Sequence, residues 1–457
     1  MFIGREKELA ALKKELSSKE RKTAILVYGK RRVGKSTLIN EAANAFDGIV
    51  INHLCVLSTY EGNLELIYRS VCHALNLPYM SFDSLSSLMD FLRNQPHRIL
   101  LIIDEYQYLK QAGKQNEVDS IMQAVIDRLP QNVKLILCGS YISVMKELLR
   151  ESNPLFGRFT LIQHIHDFDY YDAAKFYPLL SVKDKVAFYA VFGGCPYVLE
   201  NLDYNKTFQE NIIDLLLPDT GLIRSHVENI MLNEIRKTFD TRILEVIGNG
   251  KKRYSEISDI LKSSDTGLLE KQLKILVNME TVQKTEPINR REDKKKRFYE
   301  IVDNLMRFYF CFVFGYTGNI ARIGTEQFYR VNIEGEKLRQ FVSRRLEGLA
   351  LQYFGRVSGT GEYSELVDYG SYWYDDPINK KSGEFDCVVK RKGDLYDFYE
   401  CKYFDREMTL AECRQEESQV RQQDGIEVSR IGFICTGGFA FKNESDYILL
   451  DGEALYR

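Results

Sequence analysis

Residues 24–46, "AILVYGKRRVGKSTLINEAANAF", contain the pattern that decides the fold of the first part of this 457-residue chain. The apolar run 24–28 predicts a short buried strand, and the apolar spacing from Thr37 onward predicts a helix. Between them stands G-x-x-x-x-G-K-S, from Gly29 to Ser36, in the strand–loop–helix context that a phosphate-binding loop requires. The stretch therefore predicts a parallel α/β domain with a phosphate site at the end of its first strand.

The residue types of this loop suit nucleotide binding. Gly29 and Gly34 let the backbone curl so that its N–H groups point at phosphate oxygens. Lys35 supplies a positive charge to the β- and γ-phosphates, and Ser36 offers a hydroxyl to Mg²⁺. The helix N-terminus, which includes Thr37, adds its dipole. We expect these residues to bind ATP together with Mg²⁺.

A second apolar run, 99–103, predicts a central parallel strand and ends in Asp104 and Glu105. Acids at this place suit the other half of a nucleotide site. Asp104 would hold the Mg²⁺ shell, and Glu105 would polarise the attacking water. The alternative is a solvated pair of acids at the end of a strand.

Two further polar residues follow predicted strands or turns of the same domain. Ser140 ends the buried run "VKLILCGS", where it would either sense the γ-phosphate or cap the next helix. Arg158 follows a glycine in "PLFGRFT" and would approach the γ-phosphate in cis or from a neighbouring subunit. A plain surface arginine is the alternative for Arg158.

Several stretches together resemble one family of nucleotide-dependent proteins. They are "FIGREKELAAL", "GKRRVGKS", "LLIIDEYQYL", "LILCGS", "PLFGRFT" and "VFGGCPYVLENL", and they span roughly the first half of the chain. This half resembles an AAA-like P-loop ATPase of the prokaryotic "archaeal ATPase" group, close to the STAND NTPases. The resemblance implies that the segment from Phe2 to Leu9 packs near the adenine and that Gly193 and Gly194 belong to a helical lid.

The middle of the chain predicts a winged helix-turn-helix. Apolar patterns over 241–250, 253–261 and 265–282 predict three helices, and the basic loop "NRREDKKKR" (289–297) precedes a strand-like run. In such a module the third helix enters the DNA major groove while the wing contacts phosphates. The alternative is a solvated charged loop on a packing module that relays conformational change.

A hairpin is predicted within "GEFDCVVKRKGDLYDFYECK", residues 383–402. Both halves alternate as strands do, and glycine suits the turn because it accepts positive φ. With the turn centred on Gly393, Arg391 faces Leu395 and Asp386 lies opposite Glu400 on one face of the sheet. Two such carboxylates repel each other unless a cation lies between them.

The spacing D-x13-E-x-K in this hairpin resembles the PD-(D/E)xK, restriction-endonuclease-like nucleases. The resemblance implies that Asp386, Glu400 and the carbonyl of Cys401 hold Mg²⁺ or Mn²⁺ and that Lys402 orients the attacking water. Glu347, in a predicted helix upstream, is the candidate for a third metal-binding acid. An ordinary charged hairpin, with Glu347 simply solvated, is the alternative.

Composition and charge exclude several classes of protein. The formal net charge is −3, so any contact with nucleic acid must come from local patches rather than from a polycationic chain. The nine cysteines include no C-x-x-C pair, which predicts free thiols in a reducing compartment. A charged start and the absence of a bilayer-length apolar run predict a cytoplasmic protein without membrane contact.

These observations predict four domains. They are a P-loop ATPase domain (1–165), a helical lid (166–228), a winged helix-turn-helix (229–315) and a restriction-endonuclease-like α/β domain (316–457). The first functional hypothesis is an ATP-hydrolysing enzyme that acts on DNA and cuts it at a metal centre. The second is a regulatory module whose nucleotide state controls partner binding and whose last domain is a docking surface. Assembly into oligomers is left open.

Overall fold

A computed structural model describes residues 2–19, 21–112, 115–231, 240–262, 266–376, 381–422, 428–441 and 446–457. The chain divides into two compact units, Met1–Asp167 and Phe168–Arg457, which are described separately. Parts of the predicted winged-helix and C-terminal domains lie outside the described residues, namely 232–239, 263–265, 377–380, 423–427 and 442–445. The finer domain limits within the second unit stay predictions.

The first unit alternates strands and helices. Its strands are β1 (Thr23–Tyr28), β2 (Ile49–Leu54), β3 (Ile99–Asp104), β4 (Val133–Gly139) and β5 (Leu161–His164). Its helices are α1 (Glu6–Ser17), α2 (Lys35–Ala43), α3 (Tyr60–Ala74), α4 (Leu85–Arg93), α5 (Tyr106–Ala112), α6 (Gln115–Asp127) and α7 (Ile142–Glu147). The strands form one parallel sheet in the order β2-β3-β4-β1-β5.

The burial of strand β1 shows that both faces of this sheet are covered. Every residue of β1 is buried. Ala24 and Leu26 contribute to one apolar cluster, while Ile25 and Val27 contribute to another. Successive side chains of a strand point to opposite faces, so helices must cover both sides of the sheet. The parallel sheet with its phosphate-binding loop confirms the predicted P-loop NTPase fold.

The second unit begins with helices α8 (Tyr170–Ala174), α9 (Val182–Phe192), α10 (Pro196–Glu200), α11 (Phe208–Asn211) and α12 (Leu222–Ile230). Gly193 ends α9 with φ of +70°. A Cβ atom on Gly194 would lie 1.8 Å from the carbonyl oxygen of Phe168, so only glycine fits there. These helices lie in the region for which the family resemblance implies a helical lid, and their aromatic side chains pack in the core.

The winged helix follows the lid. It contains α13 (Arg242–Gly248), β6 (Lys252–Arg253), α14 (Tyr254–Leu261), α15 (Thr266–Asn278), β7 (Val282–Thr285) and β8 (Phe298–Ile301). The strands form an antiparallel sheet in the order β6-β8-β7, and the basic loop 286–297 connects β7 to β8. Three helices and a small sheet confirm the predicted winged-helix architecture.

The last part of the second unit is a mixed sheet with a long helix against it. Its elements are α16 (Asn304–Phe312), α17 (Thr317–Ile323), α18 (Thr325–Asn332), α19 (Glu336–Val357), β9 (Leu366–Asp376), β10 (Lys381–Arg391), β11 (Leu395–Lys402), α20 (Leu410–Arg421), β12 (Val428–Cys435) and β13 (Ile448–Asp451). The strand order is β13-β12-β11-β10-β9. Strands β9, β10 and β11 pair antiparallel, whereas β11, β12 and β13 pair parallel.

The hairpin of β10 and β11 has the register that the sequence predicts. Arg391 pairs with Leu395, and Val388 pairs with Phe398. Gly393 has φ of +82° in an open position, so the turn uses the conformational freedom of glycine. The pairing of β10 with β11 extends from this turn to Val388 and Phe398, two residues short of Asp386 and Glu400, so the direct opposition of these two acids stays a prediction.

The long helix α19 packs against the sheet through Leu346, Leu349, Ala350 and Phe354, which are all buried. Its contacts reach β9, β10 and β11, so one face of α19 lies over the hairpin. Across the described ranges, no helix combines the length and the apolar character that a bilayer crossing demands.

Candidate functional site

The phosphate-binding loop joins β1 to α2. Gly34 caps α2 with φ of +86°, and Gly29 has φ of +157°. A Cβ atom on Gly29 would lie 2.0 Å from the carbonyl oxygen of Ile165, so the backbone there tolerates no larger residue. Arg5 donates to the carbonyl oxygen of Val33 at 3.3 Å, which ties the first segment of the chain to this loop.

Lys35 is buried at the first turn of α2. Its Nζ donates to the carbonyl oxygens of Gly29 at 3.0 Å and Lys30 at 2.8 Å. The ammonium group therefore lies within the curve of the loop, where the sequence predicts a phosphate contact. Ser36 and Thr37 follow it in α2, and both are exposed.

Ser36 and Asp104 come from elements far apart in sequence but lie in contact. The Ser36 hydroxyl donates to Asp104 Oδ2 at 2.8 Å, and the Glu105 backbone N–H donates to Asp104 Oδ1 at 2.8 Å. A hydroxyl and a carboxylate are the hard oxygen ligands that Mg²⁺ prefers. The donor set thus fits the predicted Mg²⁺ of a bound nucleotide.

Two residues at the same end of the sheet, Ser140 and Gln107, hold the side chain of Glu105 by hydrogen bonds. Its φ is +54°, an uncommon conformation for a residue with a side chain. Ser140 donates its hydroxyl hydrogen to Glu105 Oε2 at 2.7 Å, and Gln107 Nε2 donates to the same oxygen. Ser140 does not cap α7, since Tyr141 occupies that position. Sequence reasoning missed Gln107 because an amide after two acids carries no motif signal.

Arg158 lies near the amino-terminal ends of the strands, whereas the phosphate-binding loop lies at their carboxyl-terminal ends. The Nε of Arg158 bonds Asp127 Oδ1 at 3.0 Å, and nearby Thr160 donates its N–H to the carbonyl oxygen of Ala24 at 2.7 Å. Ala24 stands near the start of β1, whereas the loop begins at Gly29 after its end, roughly 16 Å away at about 3.3 Å per residue of strand. The predicted contact in cis is therefore wrong for this structure, and a contact in trans stays a prediction.

A second group of acids forms where α19 covers the hairpin of β10 and β11. We call Glu347, Asp386 and Glu400 the carboxylate cluster. A β-bulge in β10 between Phe385 and Val388 interrupts its pairing with β9 beside Asp386. Bulges re-aim side chains in this way next to active sites.

The three carboxyl groups of the cluster influence each other electrostatically. Burial, followed by the charges of Asp386 and Glu400, raises the pKa of Glu347 to about 8, while Lys251 and Arg344 oppose the shift. Burial also raises the pKa of Glu400, with Glu416 and Asp386 adding to the effect and Lys402 opposing it. Acids that resist ionisation in this manner mark a site where negative charge is concentrated.

Lys402 lies beside the cluster on β11. Its Nζ is 2.9 Å from Glu400 Oε1 and 2.8 Å from Glu416 Oε1, which extends from α20. Burial acts to lower the pKa of Lys402, but the two carboxylates outweigh it and the pKa is raised. The ammonium group therefore stays charged, which suits orientation of a water molecule rather than removal of its proton. Sequence reasoning missed Glu416 because its helix carries several similar acids.

Lys251, from the turn between α13 and β6, also reaches the cluster. Its Nζ lies 2.8 Å from Asp386 Oδ1 and 2.8 Å from Glu384 Oε2. No local pattern could have found this contact, because 135 residues separate Lys251 from Asp386. The winged helix thus supplies a cation to the acids of the C-terminal sheet.

The oxygen atoms of the carboxylate cluster do not converge on a single position for a metal ion. Within the described ranges, Glu347, Asp386 and Glu400 do not form a group whose ligand oxygens all lie within 4.8 Å of one another. Oxygen donors are the right chemistry for Mg²⁺ or Mn²⁺, and the ammonium group of Lys251 stands as a cation against Asp386. The residue types fit a divalent ion, but the acids would have to draw together around it.

The basic wing contacts β9 rather than facing solvent throughout. The Ile288 N–H donates to the carbonyl oxygen of Ser371 at 2.7 Å, and Arg291 pairs with Asp368. Lys296 lies 3.6 Å from the ring centre of Trp373. Arg291 and Lys296 thus already have acidic and aromatic partners, and the expected contact of the wing with DNA phosphates stays a prediction. The side chain of Lys294 lies outside the described part.

Comparison with known proteins identifies the first part of the chain as an ATPase domain. Residues 2–202 match a family model described as an ATPase domain predominantly from Archaea. An uncharacterized protein of Methanocaldococcus jannaschii is 30% identical over 320 residues, which is 69% of this chain and 69% of that protein.

Two solved structures show similarity at lower identity. A Walker-type ATPase of Pyrococcus abyssi is 19% identical with a TM-score of 0.47, covering 68% of this chain and 96% of its own. The ORC2 protein of Aeropyrum pernix, solved as ADPNP–ADP complexes, is 13% identical with a TM-score of 0.41, covering 70% and 94%. With its phosphate-binding loop and its match to the archaeal relative, the chain belongs to the family of P-loop ATPases whose ATPase domain is found predominantly in Archaea.

Proposed function

We propose that the protein is a Mg²⁺-dependent ATP hydrolase that acts on DNA and carries a metal-dependent nuclease centre in its C-terminal domain. One observation carries the ATPase part, namely the contact between Ser36 in the loop helix and Asp104 at the end of β3. The nuclease part rests on the carboxylate cluster with Lys402 beside it.

For ATP hydrolysis, each residue has a separate task. The backbone N–H groups of the loop and the Lys35 ammonium group would bind the phosphates, while Ser36 and Asp104 would hold Mg²⁺. Glu105 would orient the attacking water, with Ser140 and Gln107 fixing its carboxylate. Bound Mg²⁺ supplies charge neutralisation at the phosphate oxygens.

For nucleic-acid cleavage, Asp386, Glu400 and Glu347 would hold Mg²⁺ or Mn²⁺ and Lys402 would orient water toward the scissile phosphate. A divalent ion there would offset the repulsion between the acids and stabilise the developing charge of the phosphate. Because Lys402 stays protonated, its hydrogen bonds position the water. The proposed role of the Cys401 carbonyl follows from the family resemblance alone.

DNA contact would come from the winged helix and the C-terminal domain. The wing carries six basic residues against two acids, which is the kind of local patch that attracts phosphates. Since Arg291 and Lys296 contact β9, DNA would have to compete with Asp368 and Trp373 for them.

A second candidate function is a nucleotide-controlled binding module with an inactive C-terminal domain used for docking. Two observations favour it: Lys251 already neutralises Asp386, and the acids are not grouped for one metal ion. Under this alternative the ATPase site would remain active while no nucleic acid would be cut.

Replacing Glu105 separates ATP binding from hydrolysis. Glu105→Gln should retain ATP binding but slow hydrolysis by about 100-fold or more, because only the group that orients water is lost. Lys35→Ala should weaken ATP binding itself by about tenfold or more, since a charge-assisted contact is removed. Fluorescent-nucleotide titration and phosphate release measure the two effects, with exposed Glu61→Gln as control. Equal hydrolysis by wild type and Glu105→Gln would contradict the assignment.

Replacing wing cations tests the DNA contact. Arg291→Ala with Lys296→Ala should flatten the slope of log affinity against log salt by about 2, because about 0.9 counterion is released per neutralised phosphate. Lys7→Ala with Lys14→Ala, both exposed on α1, changes the charge equally and should leave the slope alone. Duplex DNA binding over a salt series gives the result, and an unchanged slope in the wing variant would place DNA elsewhere.

The nuclease centre makes a prediction that distinguishes metal ligands from the lysine. Asp386→Asn or Glu400→Gln should abolish Mn²⁺ binding at the carboxylate cluster, whereas Lys402→Ala should keep Mn²⁺ bound there and lose about 100-fold or more in cleavage. Lys390→Ala, paired with Asp394 near the turn, is the control. Cleavage of single-stranded, duplex and branched DNA with ATP and Mn²⁺ provides the assay. Cleavage that survives in Asp386→Asn would refute the proposed centre.

The proton on Glu347 predicts a pH dependence of stability without metal. Its pKa is about 8 in the folded protein, above its ordinary value of 4.5. The folded state therefore binds this proton more tightly, so stability from this group is present below about pH 4.5 and declines as pH rises to about 8.

Glu347→Gln has no carboxyl group to ionise. The melting temperature of this variant minus that of wild type should therefore increase as pH is raised from 5 to 8. Thermal unfolding in EDTA measures the difference, and Glu336→Gln, exposed at the start of the same helix, is the control. A difference that stays constant with pH would show that Glu347 ionises normally.

A further inference from the structure

Lys251 is a residue of the winged helix that lies among acids of the C-terminal sheet. It makes ion pairs of 2.8 Å with both Glu384 and Asp386. The side chain of Glu384 is only 12% exposed, so at least one of these pairs is well shielded from water. At such distances a unit charge interacts strongly even at an intermediate dielectric.

The position of this ammonium group matters because Asp386 is also a proposed metal ligand. A carboxylate oxygen that is in contact with an ammonium group gains less from a divalent ion, since the ion must displace the existing cation.

The winged helix is also held to the sheet through its wing. Asn289 exchanges two hydrogen bonds with the backbone of Trp373, at 2.8 and 3.0 Å. Arg291 forms an ion pair with Asp368, and the ammonium group of Lys296 makes a cation–π contact with the ring of Trp373. We call these interactions, together with the two hydrogen bonds of Asn289, the wing contact. Strand β6, next to Lys251, pairs with β8 at the other end of the wing loop.

Lys251 and the wing contact thus belong to one small module. A ligand that draws the wing away from β9 would also pull on the strand that positions Lys251. The ligand class that fits the wing is a polyanion, because Arg291 and Lys296 are the cations that would be released. DNA phosphates are such a polyanion, and they are the partner already proposed for this patch.

We propose that Lys251 is an internal counter-ion that keeps the carboxylate cluster in a metal-free form, and that DNA binding to the wing withdraws it and admits the divalent ion. This inference rests on the proposed function, since it assigns the regulation of the proposed nuclease centre. It requires no cleavage to be tested, because metal affinity reports the competition directly.

The test measures Mn²⁺ binding to the full chain by isothermal titration without nucleotide. All proteins carry Asp104→Asn, which removes the carboxylate ligand of the nucleotide site. Lys251→Ala and Lys251→Gln should bind Mn²⁺ about tenfold or more tightly than the parent, because the competing charge is gone. Lys252→Ala removes the same charge from the neighbouring position in β6 and should leave the affinity unchanged. Thermal unfolding checks that each variant is folded.

A duplex oligonucleotide provides the second arm. Duplex DNA should raise the Mn²⁺ affinity of the parent protein and have little effect on Lys251→Ala, where nothing remains to be withdrawn. Adding Asp386→Asn should abolish the Mn²⁺ binding of Lys251→Ala, which places the ion at the cluster.

The outcomes separate the two levels of the proposal. Tight, Asp386-dependent Mn²⁺ binding that is equal in parent and Lys251→Ala would overturn the counter-ion role and leave the nuclease centre standing. Mn²⁺ affinity of the parent that DNA does not change would overturn the coupling to the wing. Absence of Mn²⁺ binding in all variants would overturn the proposed nuclease centre and this inference with it.

Discussion

Repulsion between carboxylates is the constraint on which the arrangement of the second unit depends. Helix α19 and the hairpin of β10 and β11 bring Glu347, Asp386 and Glu400 near enough to interact, and burial together with the charges of the other two acids holds the pKa of Glu347 at about 8. Such a cluster persists in a folded protein only with cations nearby or with retained protons. Lys402 supplies a cation from the sheet itself, Lys251 supplies one from the winged helix, and Arg344 of α19 also acts on Glu347.

The two proposed centres meet their charge requirements in different ways. In the first unit the site for an anion is built mainly from backbone, with Lys35 held against loop carbonyl oxygens. In the second unit the proposed site for a cation is built from side chains, and Lys251 forms an ion pair with Asp386, one of the proposed ligands.

Predictions from the sequence succeeded where the local pattern of a short stretch determines its conformation. The loop Gly29–Ser36, the strand ending in Asp104 and the Gly393 turn each follow from local rules, so the parallel sheet and the hairpin register could be predicted. They failed where distant segments meet. The segment around Arg158 lies beside the start of β1, and Lys251 contacts an acid 135 residues away. Neither contact could be predicted from the neighbouring residues in the sequence.

The most direct test of the carboxylate cluster as a metal centre is diffraction at the manganese absorption edge from crystals grown with Mn²⁺ and duplex DNA. A second anomalous peak beside Ser36 and Asp104, with ATP analogue present, would verify that the ion has entered the crystal. The account predicts a peak within about 2–2.5 Å of carboxylate oxygens of Asp386 and Glu400, with Lys251 withdrawn from Asp386. A peak at the nucleotide site alone, with Lys251 still 2.8 Å from Asp386, would contradict it.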